Sequence, residues 1–77
     1  MNSEFVLLTE REAMWAEMLM EVLRDNEVIC TAVSVLGAGF AMKTGVPERL
    51  KVYVPAEKLD EAKELMAELF PAEAGQE

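Results

Sequence analysis

The side chains best suited to chemistry in this chain are cationic. Arg49, Lys51 and Tyr53 alternate with apolar residues, which places all three on one face of an extended segment. Lys43 precedes them in a glycine-broken stretch that also carries Phe40 and Met42. A guanidinium and two ammonium groups beside an aromatic ring suit a small anion, a nucleotide or a carboxylate side chain. The same charges also suit the ordinary solvated face of an open sheet, paired across strands with Glu4. Both readings stand on the residues alone.

No catalytic constellation is legible. Cys30 and the hydroxyls of Ser3, Thr31, Ser34 and Thr44 are among the available nucleophiles, and the chain has no histidine to activate them. Cys30 sits within a β-branched run and reads as a small core residue. Glu17 and Glu21 lie one helical turn apart, an ordinary solvated face. Paired-carboxylate catalysis needs a cleft that drives two pKa values apart. Gly37 and Gly39 lack the third glycine and the following helix of a dinucleotide fingerprint, and Lys43-Thr44 does not close a phosphate loop. A single cysteine forms no internal disulfide and no zinc site. The expectation is a protein that is not an enzyme, with no cofactor, no metal and no catalytic residue.

The elements that must position these groups follow from periodicity and punctuation. Glu4-Phe5-Val6-Leu7-Leu8 is short and apolar, and reads as a strand. Thr9-Glu10-Arg11-Glu12 matches a capping box, predicting a helix over 10–25. The β-branched run 28–35 reads as a second strand, 36–48 as a long loop, and 49–54 as a third strand. Pro55 suits the first turn of a second helix over 56–69, which ends before Pro71. Residues 1–70 then form one domain, and 71–77 a flexible tail. The predicted fold is an α+β, βαββα two-layer sandwich. It is ferredoxin-like without the last strand, with an antiparallel sheet of order 1-3-2.

Charge and hydropathy narrow the partners. The 77 residues carry a formal charge of −8, which repels phosphate backbones and anionic headgroups, so neither nucleic acid nor membrane is an expected partner. The first residues lack the cationic and apolar pattern of a signal peptide, and no apolar run approaches the ~20 residues that span a bilayer. Cytoplasmic residence is therefore expected.

Apolar residues exceed what a small two-layer fold needs. The first helix carries Trp15, Met18, Leu19 and Val22 on one flank and Ala13, Ala16, Met20 and Leu23 on the other. Together they cover roughly 220° of its circumference. In the first strand, Phe5 and Leu7 point one way, Val6 and Leu8 the other, at a sheet edge. Val6, Leu8, Trp15, Met18 and Val22 are thus candidates for an oligomer interface, as a dimer or trimer. The alternative is that the chain covers these groups itself. Phe40, Met42, Lys43, Arg49, Lys51 and Tyr53 are the candidates for ligand or partner contact.

Several local phrases resemble a small bacterial family, the putative prokaryotic signal transducing proteins, a domain of unknown function. These are Glu12-Ala13-Met14-Trp15-Ala16-Glu17-Met18-Leu19, the turn into Val28-Ile29-Cys30-Thr31-Ala32-Val33, and above all the closing phrase Leu50-Lys51-Val52-Tyr53-Val54-Pro55-Ala56-Glu57-Lys58-Leu59-Asp60-Glu61-Ala62-Lys63-Glu64-Leu65. That family is similar to the ferredoxin-like nitrogen-regulatory PII proteins, which are trimers with a long loop between strands two and three. The resemblance implies a regulatory or ligand-sensing role for the 36–48 loop. It carries over no binding residue, because the final strand and the nucleotide-contacting motifs of PII proteins are missing here.

Overall fold

The computed structural model describes residues 4–35 and 48–74. Strand β1 (Phe5–Glu12) leads directly into helix α1 (Ala13–Asp25), followed by β2 (Thr31–Ser34) and β3 (Arg49–Pro55). A 3-10 turn (Ala56–Lys58) then opens helix α2 (Leu59–Leu69), and a four-residue helix α3 (Pro71–Ala74) follows. The three strands form one antiparallel sheet of order β1-β3-β2, with the helices on one side. This is the expected α+β two-layer, ferredoxin-like arrangement without a fourth strand.

The boundaries differ from the sequence reading in instructive ways. The expected capping box does not form. Thr9, Glu10, Arg11 and Glu12 stay extended and pair with Val52, Lys51, Leu50 and Arg49. Helix α1 starts after Glu12, which adopts a cap-like φ of −56° and ψ of 148° with no side-chain cap hydrogen bond. The Ala13 N–H instead donates to the Glu48 carbonyl at 2.8 Å, so a tertiary contact meets one of the orphan donors of the first turn. Strand β2 is shorter than the apolar run that encodes it, because Val28, Ile29 and Cys30 serve as the approach to the sheet. Pro55 ends β3 rather than opening the helix, and the Ala56 N–H donates to the Glu4 carbonyl at 2.7 Å, prolonging the sheet by one rung. Pro71 opens α3 where a tail was expected.

Between Leu7 and Thr9 the register of β1 shifts by one residue. Such a bulge reverses the alternation of the strand. Phe5 and Leu7 before it, and Glu10 and Glu12 after it, therefore share the face turned away from the helices. Thr9 and Arg11 share the helix-facing side, opposite Val52 and Leu50.

The core lies between that side and the helices. Ala16, Leu19, Leu23, Val28, Val52, Val54 and Ala62 are buried, with Leu8, Met20, Leu50, Leu65 and Phe70 among those packed around them. Burying each of the larger aliphatic side chains contributes about 1.5–3 kcal/mol, so a few leucines and valines carry most of the stability. The turn after α1 is fixed by a Schellman closure. The Val28 N–H donates to the Leu23 carbonyl at 2.8 Å and the Glu27 N–H to the Arg24 carbonyl at 2.9 Å. Leu23 and Val28 are both buried, which is the apolar contact that accompanies this motif.

Candidate functional site

Helices cover one face of the sheet, so the opposite face is where β1, β3 and β2 jointly present side chains. Register fixes the rows. Leu7, Tyr53 and Thr31 form one, and Glu10, Lys51 and Val33 the next. The last row pairs Glu12 with Arg49, whose carbonyl accepts the Val35 N–H at 3.0 Å. An apolar stripe thus runs corner to corner, from Phe5 and Leu7 on β1, past Tyr53, to Val33 and Val35 at the end of β2. Phe5, Leu7, Val33 and Val35 remain 42%, 49%, 53% and 40% exposed. An ionic quartet of Glu10, Glu12, Arg49 and Lys51 fills the corner beside the stripe.

The cationic patch read from the sequence is therefore present as geometry, with company that the sequence reading missed. Arg49, Lys51 and Tyr53 do share the open face. The expected partner of the patch was Glu4, yet Arg49 pairs with Glu10: its Nε donates to Oε2 at 2.9 Å and its terminal nitrogen to the Glu10 carbonyl at 3.2 Å. Glu10 is also directly opposite Lys51. Two carboxylates thus balance two cations. The signal for Glu10 and Glu12 was their alternation with Thr9 and Arg11, hidden by the resemblance of the same four residues to a helix cap.

A second feature lies where β1 passes into α1. A hollow of about 560 Å3 is lined by Thr9, Glu10, Arg11, Trp15, Arg49 and Phe70, among others. The Arg11 guanidinium stacks over the Phe70 ring at 3.8 Å, and Trp15 meets that ring edge-on with centroids 6.2 Å apart. This clasp of cation–π and T-shaped contacts ties the end of α2 to the β1–α1 junction. No sequence pattern linked Arg11 to Phe70, since the contact spans most of the chain.

The candidate interface residues divide. Trp15 and Met18 are 42% and 41% exposed, and Met14, one helical turn before Met18, is exposed as well. Val6, Leu8 and Val22 are half-buried, and Leu8 packs against the core. Phe40, Met42 and Lys43, with most of the expected functional loop, lie outside the described residues. Cys30 is half-buried, its thiol directed to the Met20 carbonyl at 3.8 Å. Burial pushes the Cys30 thiol up from 9.0, against the opposing pull of the Arg24 guanidinium.

Among the described residues no group of three or more His, Cys, Asp or Glu side chains is arranged to hold a metal ion, and no helix is long and apolar enough to cross a membrane. No family model matches the chain, and no curated protein or solved structure is significantly similar to it.

Proposed function

We propose that this protein is a non-enzymatic regulatory binding module of the bacterial cytoplasm that works by self-association and partner contact. One observation carries the reading: large apolar side chains on the open sheet face and on α1 stay 40–61% exposed, while among the described residues seven hydrophobic side chains are buried. Contiguous apolar surface on a small domain marks an interaction site more often than it marks neglect. The phrases that resemble the prokaryotic signal transducing proteins agree with a regulatory role. Multi-angle light scattering on the full chain tests it. A mass above the 8.6 kDa of one copy at high micromolar concentration is the expected result, and a clean monomer removes the self-association.

A second reading, a sensor for a small anion or nucleotide, draws on Arg11 and Arg49 lining one hollow of about 560 Å3. Cavities of 300–1,000 Å3 accommodate small ligands (about the usual range). Glu10 and Glu12 oppose it by cancelling the local positive charge. Thermal-shift screening of nucleotides and small carboxylates decides, since a ligand that binds the folded state raises the melting temperature by mass action.

A further inference from the structure

The self-association proposed above leaves open which surface meets which. We infer that the open sheet face stacks on the same face of a second copy across a two-fold axis, with the helices outermost. The inference rests on that reading and adds to it a surface, a partner and a symmetry.

Charge selects the face. At −8 per chain, two copies repel one another unless they meet where the local charge is lowest. Helix α1 carries Glu17, Glu21 and Asp25 against Arg24 alone, and α2 carries Asp60, Glu61, Glu64 and Glu68 against Lys63 alone. A contact through Met14, Trp15 and Met18 would press two acidic helix layers together. The open sheet face instead carries Glu10 and Glu12 against Arg49 and Lys51, a neutral set already joined by the 2.9 Å Arg49–Glu10 bridge. Among the described residues this face combines an apolar stripe with balanced charge.

Area and shape agree. Strands β1 and β3, with the shorter four-residue β2 beside them, give a platform of about 300 Å2 at about 4.8 Å spacing and about 3.3 Å rise. Its corrugated side-chain surface is on the order of 500 Å2 per copy, about 1,000 Å2 for the pair, the lower bound for a specific interface. Two sheets stack about 10 Å apart with their inner side chains interdigitated, as in a sandwich. The stripe from Phe5 and Leu7 through Tyr53 to Val33 and Val35 runs corner to corner, so a two-fold axis lying between the sheets carries it onto itself. An isologous contact of this kind closes at two copies and leaves no further apolar face of the sheet to propagate. An interface at the lower bound of specific size belongs to the weak, concentration-dependent class.

Light scattering across 5–500 µM and an NMR dilution series on the same full-length protein test the inference. The wild type is expected to approach twice 8.6 kDa, and the amides of Phe5, Leu7, Val33 and Val35 to shift on dilution while those of Met14 and Met18 hold still. The double variant Leu7→Lys/Val33→Lys, with its circular dichroism unchanged, is expected to run as a single copy. Met14→Lys/Met18→Lys is expected to keep the wild-type mass. A wild-type mass of one copy at 500 µM overturns the inference and the self-association reading together. Association that survives Leu7→Lys/Val33→Lys, disappears in Met14→Lys/Met18→Lys, or gives three copies overturns the sheet-stacked dimer alone. Because the dilution series needs no variant, a double variant that fails to fold still leaves the inference open to refutation.

Discussion

Two residues hold conformations or protonation states that the fold imposes on them. Glu27 has φ of 65°, the left-handed position of the Schellman closure, where glycine is the usual occupant. A Cβ there costs about 1–2 kcal/mol, and glycine gives back about half of that through its freer unfolded chain. Glu27→Gly is therefore expected to stabilise the protein by a few tenths to about 1 kcal/mol in urea unfolding, and Glu27→Val to destabilise it by at least about 1 kcal/mol. Equal effects of both would show that the turn does not hold this backbone in solution. Cys30 offers a check by pH. Its folded thiol titrates above 9.0 because burial disfavours the thiolate. The folded and unfolded thiols are both protonated well below pH 9, so stability there is untouched. It falls as the pH rises through the folded value, because only the unfolded chain gains a thiolate readily. The alkaline loss of stability should shrink in Cys30→Ala, and alkylation of Cys30 should accelerate sharply on adding urea. A Cys30 alkylated at the same rate with and without denaturant contradicts its placement beside Met20.

At the scale of elements, the β1–α1 junction separates what periodicity encodes from what tertiary contact decides. Thr9-Glu10-Arg11-Glu12 satisfies the local rule for a helix start, yet pairing with Leu50, Lys51 and Val52 keeps it extended. The two alternatives place Thr9 in different energetic roles. As a cap, its loss would cost about 1 kcal/mol; in a strand facing the helices it caps nothing. Thr9→Ala is expected to change stability by less than about 0.5 kcal/mol, whereas Glu12→Ser, which installs a capping hydroxyl at the true start, should gain about 0.5–1 kcal/mol. A loss of about 1 kcal/mol in Thr9→Ala would restore the longer helix. Element order, sheet order and the polar face of β3 were legible because they follow from alternation, β-branching and the shortest right-handed connection. The bulge at Leu8 was not, since it depends on which partner Val52 accepts. Nor was the Arg11–Phe70 stack, which requires two distant segments to meet. The candidate site was legible in its cations, Arg49 and Lys51, and illegible in its anions. Glu10 and Glu12 reach that face only because the bulge reverses the strand.

The whole molecule is a thin slab, 22 Å in its shortest dimension, which leaves room for two layers and no third. Its Cα radius of gyration of 13.2 Å exceeds the ~11.5 Å of a compact sphere-like domain of this length, as a slab should. A slab has two broad faces, and among the described residues helices seal one of them. With seven buried hydrophobic side chains among the described residues, two of them alanine, the isolated copy has a small store of hydrophobic stabilisation. Covering the open face by a second copy would then be part of what keeps the protein folded, and stability would depend on concentration. For a dissociation constant on the order of 10 µM, raising the chain from 5 to 500 µM adds about 1 kcal/mol per copy. In a domain of this size that lifts the melting temperature by about 4–8 °C. Scanning calorimetry over that range should show the rise in the wild type and lose it in Leu7→Lys/Val33→Lys. A wild-type melting temperature independent of concentration would mean that the exposed stripe adds nothing to stability, and that the core and the Arg11–Phe70–Trp15 clasp suffice to hold the slab together.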